Sequence, residues 1–126
     1  MNIPDDLRYS SDHEWIRRDG DLITIGITDY AQDSLGDVVF VEQPEVGQTL
    51  AASDTFTEVE STKSVSDIYA PVSGTITEFN AALEDQPELL NSDPYGAGWI
   101  CRIEMSDTTQ FDALLDAAGY RQLTEG

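Results

Sequence analysis

Glu58-Val59-Glu60-Ser61-Thr62-Lys63-Ser64-Val65-Ser66-Asp67-Ile68-Tyr69-Ala70-Pro71-Val72-Ser73-Gly74 is the stretch that decides the fold. Two arms of strand-forming composition, Thr49 to Glu60 and Val65 to Ala70, bracket the small polar residues Ser61 to Ser64. Pro71 and Gly74 punctuate the return of the chain. The pattern predicts an extended hairpin with Lys63 at or beside its tip. Lys63 is the only lysine; every other positive charge is an arginine, at positions 8, 17, 18, 102 and 121. Lysine is ordinarily among the commonest residues of a soluble domain, so its near-absence draws attention to the one amine that is kept.

Arginine cannot replace lysine as a nucleophile, whereas a lysine amine forms amides and Schiff bases. A Schiff-base lysine wants a desolvated pocket or a cationic neighbour. Lys63 instead has Ser61, Thr62, Ser64 and Ser66 around it, with carboxylates at Glu58, Glu60 and Asp67. That setting suits a protruding side chain that another enzyme acylates. Local sequence alone leaves an ordinary exposed lysine in a turn equally open.

Outward from the hairpin, the rest of the chain is also mostly strand. His13 to Arg18 and Asp21 to Ile27 flank Asp19-Gly20, a two-residue hairpin signal. Ile23, Ile25 and Ile27 alternate with Leu22, Thr24 and Gly26, which predicts the isoleucines on a core face. Thr28 or Asp29 caps a short helix running to about Leu35, with Gly36 at its end. Val38 to Glu42 and Thr75 to Phe79 are further strands. Pro87 divides two helical turns within Asn80 to Asn91. A strand from Trp99 to Glu104 is expected to put Trp99, Cys101 and Ile103 on one face. A last helix from Ser106 or Asp107 presents Phe111, Leu114, Leu115 and Ala118 at helical spacing and stops at Gly119.

At 126 residues the chain suits one domain. Twenty-five acids against six bases give a net charge of −19, spread over the whole length. Such a chain repels nucleic acid and anionic membranes, and neither is an expected partner. Scattered acid with almost no lysine suggests adaptation to a high-salt cytoplasm; an acidic carrier that docks on basic partners is the other reading. No apolar run is long enough for a membrane span. Met1 to Asp6 lack the features of a secretory signal, so a cytoplasmic location is expected.

Other chemistry finds little support. His13, the only histidine, and Cys101, the only cysteine, do not make a zinc site, and no metal is expected. His13 beside Trp15 is expected to pack or hydrogen-bond. Cys101 is expected as a buried small residue. Gly96-x-Gly98 is too short for a phosphate loop.

Four segments, in order, resemble the H proteins of the glycine cleavage system. They are Ser11-Asp12-His13-Glu14-Trp15; Ile25-Gly26-Ile27-Thr28 through Leu35-Gly36-Asp37-Val38-Val39-Phe40-Val41; Glu60 through Gly74; and Asn91-Ser92-Asp93-Pro94-Tyr95-Gly96-Ala97-Gly98-Trp99. The Met-Lys-Met triplet of biotin carriers is absent, since Lys63 lies between Thr62 and Ser64. The resemblance implies a mainly β fold, the lipoyl/biotinyl-type barrel-sandwich hybrid of two antiparallel sheets with short peripheral helices and a C-terminal helix. It implies a single lipoyl-carrier domain over residues 1–126, with its core between about 7 and 120. It implies a carrier and not an enzyme, with lipoate joined to Lys63 as an amide and Glu60, Ser61, Thr62, Ser64 and Asp67 forming the attachment motif. His13 and Glu14 would help to line a surface cleft for the arm. The implied partners are a pyridoxal-phosphate glycine decarboxylase, a tetrahydrofolate-dependent aminomethyltransferase, dihydrolipoyl dehydrogenase, and a lipoate ligase or octanoyl/lipoyl transferase. Thr62 and Ser64 depart from the valine and alanine common beside the lysine. A lipoyl relay to other enzymes, a Schiff-base enzyme, and a plain acidic interaction module are the competing functions.

Overall fold

The computed structural model describes residues 2–125. Nine strands form two antiparallel sheets. The six-stranded sheet has the order β1 (Arg8–Tyr9), β2 (Glu14–Asp19), β3 (Leu22–Ile27), β9 (Cys101–Met105), β8 (Gly74–Phe79), β5 (Thr49–Leu50). The three-stranded sheet has the order β4 (Val38–Val41), β6 (Thr55–Ser61), β7 (Val65–Tyr69). Helices are short: α1 (Asp29–Leu35), α2 (Ala82–Asp85), α3 (Leu89–Ser92), α4 (Thr109–Asp112) and α5 (Ala117–Glu125). This is the two-sheet, mainly β architecture expected. No helix among the described residues is long and apolar enough to cross a membrane.

The sheets exist because alternate residues of each strand are apolar and need cover. Ile23, Ile25 and Ile27 of β3 meet Ile76 of β8, Ile103 of β9, and Val41, Val59 and Ile68 of the smaller sheet in one core. Each such side chain contributes about 1.5–3 kcal/mol on burial. A second cluster gathers Ile3, Leu7, Tyr9, Trp15, Ala117 and Tyr120. Its centre, Trp15, lies over Gly26: a Cβ there would stand 2.5 Å from the Trp15 Nε1. The same indole N–H donates to the Pro94 carbonyl at 2.8 Å.

Several boundaries differ from expectation, each for a local reason. Asp19 pairs with Leu22, so the two-residue turn is Gly20-Asp21, one position later than expected, with Gly20 at φ 65°. The first arm of the Lys63 hairpin is not one strand. Thr49–Leu50 pairs with β8, whereas Thr55–Ser61 belongs to the other sheet. The chain changes sheets at Ala51–Asp54, where Ser53 takes φ 78° and the Asp54 carboxylate accepts the Ala51 N–H at 2.9 Å. Trp99 precedes β9 and packs in the second cluster under the Arg102 guanidinium; Cys101, Ile103 and Met105 share the core face instead.

The expected last helix is broken in two. Leu115 exchanges both backbone hydrogen bonds with Tyr9, at 2.8 Å each, and so covers the edge of β1. Asp116 then caps a new helix by accepting the Gly119 N–H at 2.8 Å. Gly119 therefore lies inside α5, and Ala117 and Tyr120, not Ala118, are buried.

Candidate functional site

Lys63 sits in the Thr62–Ser64 turn between β6 and β7, and its side chain is exposed. Ser61 locks that turn. Its Oγ accepts the N–H groups of Lys63 and Ser64 at 3.2 and 3.1 Å, and its own N–H donates to the Ser64 carbonyl at 2.8 Å. The Thr62 N–H donates to the Asp37 carbonyl at 3.0 Å, tying the turn to the end of α1. Serine at 61 supplies a side-chain acceptor that an apolar residue would lack.

The Lys63 side chain lies over Gly36. A Cβ at position 36 would stand 3.2 Å from Lys63 Cε and 3.6 Å from Nζ. Gly36 also has φ 80°, a region that side chains disfavour. It follows α1, which Thr28 caps by accepting the Ala31 N–H at 3.2 Å. Asn91 fixes this corner from α3. Its Oδ1 accepts the Val38 N–H at 2.8 Å, and its Nδ2 donates to the Gly36 carbonyl at 2.8 Å and to Gln32 Oε1 at 3.1 Å. Sequence reading placed Asn91 in a turn-rich motif and missed this positioning role; an asparagine carrying both donor and acceptor was the available signal.

Two concavities follow β7 away from the turn. The first, about 380 Å³, is lined by Ser64, Ser66, Asp67 and Ile68 on one side and by His13, Tyr30 and Ser34 on the other. The second, about 340 Å³, is lined by Glu14, Ser10, Tyr9, Ser53, Ala70 and Pro71. Asp12 lines both. His13 and Glu14 therefore face different concavities. Glu14 opens β2, whereas His13 precedes it in the left-handed region at φ 69°, which turns the two side chains apart.

His13 is held by aromatics. Its ring stacks on Tyr30 at 4.6 Å, and its Nδ1 is 2.7 Å from the Tyr120 hydroxyl. Tyr120 also bonds Thr28 Oγ1 at 2.7 Å. Burial pushes the His13 pKa down against the pull of Asp12, which favours a neutral ring. Tyr120 and Tyr30 carry no signal in sequence for this role. Burial likewise pushes the Tyr120 phenol up to about 12.

Glu14 is the unusual group. It is 1% exposed. Oε1 accepts the Ser10 hydroxyl at 2.7 Å, while Oε2 is buried with no hydrogen-bond partner among the described residues. Burial raises its pKa to about 7, against the Ser10 hydrogen bond and with a smaller upward push from Asp12. The Tyr69 backbone N–H favours the carboxylate only weakly, outside hydrogen-bond geometry. A buried acceptor left unbonded costs free energy unless something else fills the site.

Of the other motif residues, Glu60 points away from the core between Phe40 and Val65, and Thr62 is exposed. Cys101 is fully buried, and burial raises its thiol pKa, so it stays protonated and unreactive.

The glycine cleavage H-protein family model matches residues 7–126. The chain is 58% identical over 130 residues to a glycine cleavage system H protein of Mycobacterium avium, covering 98% of both chains. It is 55% identical over 124 residues to one from Symbiobacterium thermophilum, covering 98% of this chain and 97% of that one. A crystal structure of a glycine cleavage system H protein from Mycobacterium marinum superposes with a TM-score of 0.89 at 44% identity, covering 98% of this chain and 100% of that one. This breadth of likeness, over a fold built around the Lys63 hairpin, places the chain in the glycine cleavage H-protein family.

Proposed function

We propose that this protein is a lipoyl carrier of the glycine cleavage system and that Lys63 is the residue that bears the arm. The observation that carries this reading is the only lysine of the chain, exposed on a Ser61-locked turn beside two concavities. Attachment needs a free amine. The Lys63 Nζ attacks the carbonyl carbon of an activated acyl group, and a C–N bond forms. The bond to the leaving phosphate or thiol breaks with its electron pair, and one proton leaves the nitrogen for solvent. Lipoate held on Lys63 would supply a disulfide able to accept the aminomethyl carbon that glycine keeps when its carboxyl leaves as carbon dioxide, and its partners would be the decarboxylase, the aminomethyltransferase and dihydrolipoyl dehydrogenase.

The chain's own residues position and shelter. Gly36 leaves room for the amine end of the lysine, and Ser61 and Asn91 hold the turn and the corner beneath it. Asp67, Ser66 and His13 line the nearer concavity. Glu14, whose Oε2 is buried without a partner among the described residues, would offer an acceptor to an ammonium group in the further one. A cation there would lower the Glu14 pKa, its attraction to the carboxylate offsetting the desolvation that makes the bare carboxylate unfavourable. Shelter from water protects a labile amine-bearing cargo, and tethering raises its effective concentration at each docked partner. Intact-mass measurement of protein made in its native host tests the reading. A lipoyl or octanoyl increment that maps to the Lys63 peptide, and vanishes in Lys63→Arg, is the expected result. A bare Lys63 in cells able to make lipoate overturns it.

A further inference from the structure

The three-stranded sheet leaves apolar surface uncovered on its outer side. Phe40, Glu60 and Val65 are register partners across β4, β6 and β7, so their side chains leave one face together. Phe40 is 51% exposed and Val65 56%. Val39, in the bulge between Val38 and Phe40, is 52% exposed. The next row inward, Val41 and Val59, lies in the core. Glu58 and Asp67, the row beyond, are exposed again, and so is Glu42. The face thus carries Phe40 and Val65 on either side of the Glu60 carboxylate, with Val39 beside them and further acids in the row beyond. Apolar side chains gathered beside polar ones mark a surface that another molecule covers.

Lys63 stands at the end of this face, two residues from Val65. Reach now separates the possible occupants. A bare lysine holds its amine on a four-carbon stem, so the enzyme that acylates it must bring its active site down onto the hairpin. Its footprint has to cover the residues adjoining the turn. Enzymes that receive the finished, longer arm can stand further off.

From this we infer that the Phe40–Val65 face is the docking surface for the enzyme that acylates Lys63. That partner presents apolar side chains to Phe40, Val39 and Val65, a basic group to Glu60 between them, and further basic side chains to Glu42 and Glu58. The inference rests on Lys63 being the acylated residue. The aromatic and branched side chains set the lifetime of such a complex, while the acidic groups among and beside them set its rate of formation.

The test uses the bare full-length protein with purified lipoate ligase, lipoate and ATP. Acylation is followed by intact mass, and ligase binding is measured separately by calorimetry. Phe40→Ser with Val65→Ser is expected to lower kcat/KM for acylation by about tenfold or more and to weaken binding of the bare protein by a similar factor. Val46→Ser, an exposed valine outside this sheet, is expected to change neither. Glu58→Lys with Glu60→Lys is expected to slow association and to weaken its salt dependence. After prolonged incubation, the acylated serine variant is expected to accept the aminomethyl group from the decarboxylase at the normal rate. Acylation of the serine variant at the wild-type rate overturns the proposal. So does an equal loss in acylation and in decarboxylase loading, which would make the face common to all partners. If the wild-type protein is not acylated at Lys63 at all, the carrier reading fails with it; a wild type that is acylated, with variants to match, sinks the docking surface alone.

Discussion

Replacing Glu14 by glutamine separates the burial of this side chain from its charge. In the folded protein the carboxyl titrates near 7, raised from an ordinary 4.5. Between these values the native state holds a proton that the unfolded state has lost. Native stability therefore falls as pH rises through this window, and the loss is complete above pH 7. At 1.36 kcal/mol per pH unit, the penalty reaches about 3 kcal/mol by pH 8. Glutamine keeps the shape and the Ser10 partner but carries no charge. Glu14→Gln is expected to match the wild type near pH 4.5 and to be up to about 3 kcal/mol more stable at pH 8. Urea denaturation of both proteins at several pH values gives the difference directly, because the other carboxylates titrate alike in both. A difference that does not change between pH 4.5 and pH 8 refutes the reasoning. In lipoylated protein carrying the aminomethyl group, the wild-type penalty is expected to vanish, since an ammonium beside Oε2 pulls the pKa back down.

Further expectations concern the frame around Lys63 and the acidic surface. Asn91→Ala removes three hydrogen bonds from the corner under Lys63 and is expected to cost about 2–4 kcal/mol in urea denaturation, with a lower rate of acylation. Gly36→Ala forces a side chain at φ 80° against Lys63 Cε; a loss of about 1–3 kcal/mol is expected, and an unchanged melting temperature would contradict it. Gly26→Ala collides with the buried Trp15 indole, and failure to fold, or a loss above about 3 kcal/mol with a changed tryptophan fluorescence spectrum, is expected. Among the described residues only Arg102–Glu78 and Arg121–Asp5 form ion pairs, so most of the 25 acids face each other without compensation. Melting temperature is expected to rise from 0.1 M to molar potassium chloride, where the Debye length drops from about 10 to about 3 Å; a flat series removes the high-salt reading.

Much of this was legible in the chain itself. The alternation of Ile23, Ile25 and Ile27, the Thr28 cap, the turn signals around Gly20 and Pro87, and the lone Lys63 between two strand-forming arms are local features. They follow from side-chain periodicity and from which residues tolerate a given backbone angle, and neither needs knowledge of distant contacts. Four things were not legible. The sheet change at Ala51–Asp54 depends on which neighbours offer an edge, and the break at Leu115 depends on Tyr9 having an unpaired one. The placement of His13 and Glu14 in separate concavities depends on what packs on each side of β2. The free Oε2 of Glu14 arises only when distant segments close over it. Sequence determined where the lone lysine amine sits and which residues surround it along the chain, because those are properties of neighbours a few bonds apart. Tertiary structure alone decided which groups lie across from that amine and how far water is kept from them, because desolvation and long-range pairing exist only once the two sheets have packed.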